Sequence, residues 1–143
     1  MTRGGDVSDC VFCRIVAGQI PATVVHEDQH TLAFMDIGQV NPGHTLVTVK
    51  VHAENLYALD DGQAAAVART AARVARAISD AFAPPGLSVY QANGEPAGQT
   101  VFHYHVHLLP RHDGDGMQLT WPVKNPPRET LEQYAAKIRA ALR

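Results

Sequence analysis

Between Thr100 and Pro110 the chain alternates histidine with aromatic and aliphatic residues: Thr100-Val101-Phe102-His103-Tyr104-His105-Val106-His107-Leu108-Leu109-Pro110. A helix would scatter these side chains around its circumference. An extended strand sends alternate side chains to opposite faces, which lines up His103, His105 and His107 on one and Tyr104, Val106 and Leu108 on the other. The chain is therefore expected to fold around a sheet with a core behind this strand and a titratable face in front. Imidazoles in register are costly to assemble unless something negative, a metal-bound thiolate or a phosphate, draws on their basicity. Histidine is also the side chain best placed to trade protons or attack near neutral pH. Two other readings of the run stand beside an active face. The histidines are simply solvated, or all three bind one metal, which needs the strand to bend because same-face neighbours lie about 7 Å apart.

At 143 residues the chain makes one domain, long enough to bury roughly 70% of its unfolded surface. A net charge of −2 leaves no basic footprint, so nucleic acid is not an expected partner. No apolar run approaches the ~18 residues of a membrane span, and the polar Met1–Asp9 segment is no signal peptide. The expected compartment is the cytoplasm, with no membrane partner. The only cysteines, Cys10 and Cys13, form C-V-F-C. In a reducing compartment this spacing reads as metal ligation or redox chemistry rather than a structural disulfide.

Residues 1–8 read as a disordered lead. Val11–Ala17 reads as a short helix stopped by Gly18 and Pro21. Runs at 23–26, 30–36 and 44–50 read as strands separated by turns such as Asn41-Pro42-Gly43. Asp60 or Asp61 caps a helix over about 63–82, with Val67, Ala71, Val74, Ala75, Ile78 and Phe82 as its apolar stripe. Residues 87–91 read as a strand, 93–99 as a Gly-rich loop, and 101–109 as the histidine strand. A last amphipathic helix over about 128–142 presents Leu131, Tyr134, Ile138 and Leu142. Strands joined by short connections around a central helix favour an α+β fold, an antiparallel sheet with helices on one side.

Four separated segments resemble the histidine triad (HIT) family. They are Phe12-Cys13-Arg14-Ile15 with Ile20-Pro21, Leu32-Ala33-Phe34-Met35-Asp36-Ile37, Pro42-Gly43-His44-Thr45-Leu46-Val47, and Gly98-Gln99-Thr100-Val101-Phe102-His103-Tyr104-His105-Val106-His107. The resemblance implies a HIT-like fold, a five-stranded antiparallel sheet joined to its copy across a homodimer. It places the HIT domain at residues 9–112, with a C-terminal tail and helix, 113–143, packing on it. It further implies purine nucleotides (AMP or GMP derivatives) as partners and hydrolysis or transfer at an α-phosphorus. His105 matches the nucleophile that forms a nucleotidyl-histidine intermediate, and its other ring nitrogen should donate to a fixed acceptor such as a backbone carbonyl. His107 matches the residue serving the phosphate or the leaving group. Gln99 and Thr100 match contacts to both, and Asn93 a polar residue near the phosphate, its alternative being an ordinary turn residue. Val11, Phe12, Ile15, Phe34 and Ile37 match the wall of a base pocket, although each would serve equally as core. Asp36 matches a ribose ligand, or is turn chemistry. His44 matches a family histidine near the site, or packs structurally.

The resemblance to bacterial members of the Hint-like branch that carry CxxC implies a structural zinc on Cys10, Cys13, His52 and His103, so the three histidines would not share one metal. It makes a nucleoside phosphoramidate hydrolase the leading activity. Gly116-Met117-Gln118-Leu119-Thr120-Trp121-Pro122 resembles that branch, whereas Leu108-Leu109-Pro110-Arg111 resembles dinucleoside polyphosphate hydrolases or phosphorylases. A nucleotide-binding or protein-interaction module with incidental hydrolysis is the reading from another class, and a zinc-stapled structural module a third.

Overall fold

The computed structural model describes residues 9–118 and 120–143, so the expected disordered lead, residues 1–8, lies outside the described residues. One antiparallel sheet contains β1 (Val24–Glu27), β2 (Thr31–Met35), β3 (Thr45–Val49), β4 (Gly86–Tyr90) and β5 (His105–Arg111), in the order β1-β2-β3-β5-β4. Helix α1 (Val11–Val16) precedes it, α2 (Asp61–Phe82) connects β3 to β4, and α3 (Arg128–Ala141) follows. This is the expected α+β architecture.

The two faces of the sheet take different partners. Ala33, Val47, Val49, Val106 and Leu108 are buried against Val67, Val74 and Ile78 of α2, the stripe that periodicity predicts. The helix starts with a reciprocal cap in which Asp60 accepts from the Gln63 amide at 2.7 Å and Gln63 accepts from the Asp60 amide at 2.9 Å. On the opposite face Leu32, Phe34 and Leu46 pack with Phe12. Only the long helix therefore lies where all were expected. The short α1 sits on the other side, drawn there by Phe12, whose ring meets Phe34 at a centroid distance of 5.4 Å.

A second departure concerns α3, which buries none of its residues. Leu131, Tyr134, Ile138 and Leu142 are 50–79% exposed, so within one chain the stripe does not pack on the domain. Helix α2 already fills the apolar face of the sheet, and the segment 120–127, with Pro122, Pro126 and Pro127, runs exposed up to α3.

Asp28 closes the β1–β2 turn and ties it to α2. Its Oδ1 accepts from the amides of His30 and Thr31 and from the Thr31 hydroxyl at 2.8–2.9 Å, and its Oδ2 from Thr70 Oγ1 at 3.2 Å. Burial alone would raise its pKa, but these donors outweigh it and hold the carboxyl well below the usual range. The stabilisation is present above the ordinary aspartate pKa and is lost as pH falls below it. Asp28→Asn is expected to cost on the order of 1 kcal/mol at neutral pH, discounted for partial exposure. Thermal melts of both proteins should converge on acidification; a gap that stays constant in acid rules this account out.

Candidate active site and metal cluster

Pairing places Thr48 opposite His105, and both Leu46 and Tyr90 beside His107. Those two histidines share a face, as alternation predicts. His103 does not belong to the strand: residues 101–103 bend, and β5 starts at His105 and runs to Arg111, not from 101 to 109. The bend lets the fully buried His103 ring turn toward the cysteine pair, with Nδ1 3.3 Å from Cys10 Sγ and 3.4 Å from Cys13 Sγ.

Hydrogen-bond polarity fixes the two strand imidazoles in different states. His105 Nδ1 lies 2.7 Å from the His103 carbonyl oxygen. A carbonyl only accepts, so Nδ1 carries the hydrogen and Nε2 keeps a bare lone pair. For His107 the fixed point is further back. The Val40 amide donates to His44 Nδ1 at 3.3 Å, so the hydrogen of neutral His44 sits on Nε2, which lies 2.9 Å from His107 Nδ1. His107 then accepts at Nδ1 and carries its own hydrogen on Nε2. The neighbouring rings, with centroids 5.2 Å apart, therefore offer one bare Nε2 and one Nε2–H. Burial lowers the His105 pKa against the opposing pull of the His103 carbonyl and Asp36. Burial, then His105 and His44, brings His107 to about 4, which keeps it neutral near physiological pH.

His44 is the residue of this cluster whose role sequence reasoning left unsettled. It lies 63 positions from its partner. One signal could have found it: His44 precedes Leu46 and Thr48 by even steps, and these are the β3 positions opposite His107 and His105.

Asp36 performs the turn chemistry and also faces two histidines. Its Oδ1 accepts from the Gly38 amide at 2.7 Å, which is turn chemistry. Its Oδ2 lies 3.4 Å from His44 Nε2 and 3.8 Å from His107 Nδ1. Phe12 and Phe34 are buried together with Ile15 against them, and the Phe12 ring lies edge-on to His105 at 4.9 Å. Val11 is partly exposed, and Ile37 stands wholly in solvent.

Gln99 and Asn93 both bond within their own part of the chain. Gln99 is buried; its amide nitrogen donates to the carbonyls of Glu54 and Val101 and its oxygen accepts from the Gly94 amide. The Asn93 oxygen accepts from the Leu56 amide at 2.8 Å, and its nitrogen donates to Gln91 at 2.8 Å. Both carboxamides hold the loop closed. Thr100, at its end, is exposed.

Among the described residues two clusters could hold a metal ion: Cys10, Cys13, His52 and His103, and Asp36, His44 and His107. A metal-bound histidine normally donates its other ring N–H to an acceptor. His103 meets this test, since its Nε2 lies 2.6 Å from the Val49 carbonyl and leaves Nδ1 bare toward both sulfurs. His52 Nδ1 lies 3.3 Å from Cys13 Sγ. Burial, then the neighbouring Cys10, pushes the Cys13 thiol up to about 12, so the pair needs a cation to hold two thiolates. The donor set is Cys₂His₂, which suits tetrahedral Zn²⁺. His44 fails the test, because its second nitrogen accepts where a metal ligand would donate.

The HIT domain family model matches residues 17–114. The chain belongs to the HIT family. HIT relatives include the "Protein hit" of Bacillus subtilis (strain 168), 51% identical over 114 residues covering 79% of each chain. The adenosine 5′-monophosphoramidase hnt1 of Schizosaccharomyces pombe is 37% identical over 135 residues, covering 94% of this chain and 98% of its own. A HIT family protein from Bacillus anthracis superposes with a TM-score of 0.91 at 41% identity, covering 94% and 98% of the two chains. A Zn-bound histidine triad family protein from Mycobacterium smegmatis superposes with a TM-score of 0.73 at 34% identity, covering 95% and 99%. Among the described residues, no helix of this HIT chain is long and apolar enough to cross a membrane.

Proposed function

We propose that the chain is a nucleotide hydrolase or nucleotidyl transferase acting at the α-phosphorus of purine nucleotide derivatives, with nucleoside phosphoramidates as its substrates. The observation that carries this reading is the bare Nε2 of His105, fixed by the His103 carbonyl, beside the Nε2–H of His107. An imidazole held this way is a nucleophile that needs no prior deprotonation. Its lone pair forms a nitrogen–phosphorus bond as the bond to the leaving nitrogen breaks. That nitrogen departs with the electron pair and takes up a proton through His107. Water then attacks phosphorus and returns a proton to His107, and the electron pair of the nitrogen–phosphorus bond goes back to His105. Asp36 Oδ2 serves the ribose, Phe12, Phe34 and Ile15 wall the base, Val11 and Ile37 flank it, and Thr100 reaches the phosphate from the loop that Gln99 and Asn93 close. The monophosphoramidase relative supports this leaving group.

Zinc on Cys10, Cys13, His52 and His103 belongs to the same reading. A closed four-ligand centre is structural; it supplies folding energy and the positive charge that both thiolates require. The outer edge of β4 is unpaired within the chain, which fits a homodimer joined through the sheet, and the two reduced cysteines fit a cytoplasmic setting.

The test offers adenosine 5′-phosphoramidate and a dinucleoside polyphosphate in parallel. The expected result is AMP from the first, far faster than from the second, and an acid-labile nucleotidyl adduct mapped to His105 after quenching. Turnover of the polyphosphate alone shifts the assignment to the polyphosphate hydrolases. AMP binding without turnover of either makes the protein a binding module.

A further inference from the structure

We propose that Tyr90 is a positioning residue that holds the loop ending at Thr100 in register with His107, and so governs how a departing amine is served. This rests on the phosphoramidate reading above and adds to it a residue on the leaving-group side. Tyr90 is the last residue of β4 and pairs directly with His107, so the two side chains leave the sheet on one face. Their ring centroids lie 5.7 Å apart with an interplanar angle of 60°. The Phe12 ring meets His105 at 4.9 Å, so each strand histidine has its own aromatic neighbour. Phe12 belongs to the base wall, which leaves Tyr90 with the histidine that serves the leaving group.

The hydroxyl reaches beyond the ring to the loop. It donates to the Ala97 carbonyl at 3.0 Å, and a Cβ at Gly98 would stand only 3.0 Å from it. Gly98 has a φ of +98°, in the region that favours glycine, so its bare Cα both makes the turn and admits the hydroxyl. The loop is also closed on itself. The Gly98 amide donates to the Glu95 carbonyl at 2.9 Å, the Gln99 amide to the Gly94 carbonyl at 3.1 Å, and the Gly94 amide to the Gln99 side chain at 2.7 Å. These bonds hold the loop's shape and not its place. Gln99 and Asn93 tie it to Glu54 and Leu56, and Tyr90 ties it to β4 at the position opposite His107. Removing the hydroxyl therefore leaves the loop closed but free to shift relative to β4. Removing the ring also takes away the neighbour of the His107 imidazole. Tyr90 is 42% exposed, so a hydrogen bond beside water adds little stability and its effect falls on alignment.

The test compares Tyr90→Phe and Tyr90→Leu with the unaltered protein on two substrates, adenosine 5′-phosphoramidate and the 4-nitrophenyl ester of AMP. Both release AMP, but nitrophenolate departs without a proton whereas the amine needs one. Tyr90→Phe keeps the ring and loses the tie to Ala97, and is expected to lower kcat on the phosphoramidate about 5-fold. Tyr90→Leu loses both and is expected to lower it about 100-fold. KM and AMP affinity should be unchanged in each, and the loss on the nitrophenyl ester should be clearly smaller. A merely structural role would slow the two substrates alike. Wild-type kcat in either variant, or equal losses on the two substrates, overturns the proposal and leaves phosphoramidate hydrolysis intact. A loss expressed in KM and AMP affinity also overturns it, making Tyr90 a wall of the binding site. An unaltered protein that turns over no phosphoramidate overturns the reading beneath, and this role with it.

Discussion

His105→Asn is expected to lower kcat for a nucleoside phosphoramidate on the order of 10⁴-fold or more, the scale seen when a covalent nucleophile is removed. Asparagine keeps a carboxamide N–H that can still reach the His103 carbonyl, so the local hydrogen bond and the strand pairing survive. What it lacks is a nitrogen lone pair able to attack phosphorus. His107, Asp36 and the Phe12–Phe34 wall are untouched, so AMP should still raise the melting temperature as a ligand selective for the native state does. The measurement pairs steady-state kinetics with thermal shift. Unchanged turnover sinks covalent catalysis by His105, whereas lost turnover together with lost AMP binding would mean that the substitution disrupted the pocket and not the chemistry alone.

Removing the metal should produce the largest loss of stability. A zinc ion held at about a thousandfold its dissociation constant stabilises the native state by about 4 kcal/mol. For a chain of this size about 1 kcal/mol moves the melting temperature by roughly 2–4 °C. Chelation, or Cys10→Ser, is therefore expected to lower it by roughly 8–16 °C. The α2-packed core of Val47, Val67, Val74, Val106 and Leu108 makes no use of the cluster, which is why unfolding should be earlier and not complete. The small Phe12–Phe34 cluster should loosen first, because Cys10 and Cys13 bracket Phe12 at the start of α1. Melts with reductant present, with and without chelator, decide the point: coincident curves remove the zinc from the account.

The parts of this molecule that periodicity controls were legible in its sequence. The α2 stripe, its Asp60 cap and the shared face of His105 and His107 follow from periods of 3.6 and 2. The resemblance between separated segments placed the cysteines with His52 and His103, which the folded chain brings together. What escaped was set by contacts between distant segments. His103 leaves the strand because its ring is drawn to residues 90 and more positions away, a pull that alternation does not encode. The side chains of Gln99 and Asn93 bond to backbone groups of the loop around Glu54–Leu56, partners that neither spacing nor alternation encodes. The exposed stripe of α3 follows its predicted periodicity faithfully, yet periodicity says which face is apolar and not what covers it.

The strand order carries one more consequence. The histidine-bearing β5 lies between β3 and β4, hydrogen-bonded on both sides, and its pairing with β3 spans the whole stretch of chain that contains α2. The β3–β5 pairing closes a long stretch of chain at a cost in loop entropy, so the site is not prefigured in any local fragment. For the same reason β5 cannot fray by itself: amide exchange along it should report the opening of the whole sheet. Destabilising substitutions elsewhere in that sheet, away from His105 and His107, would then reduce activity through the fraction of molecules folded, leaving each folded molecule as competent as before.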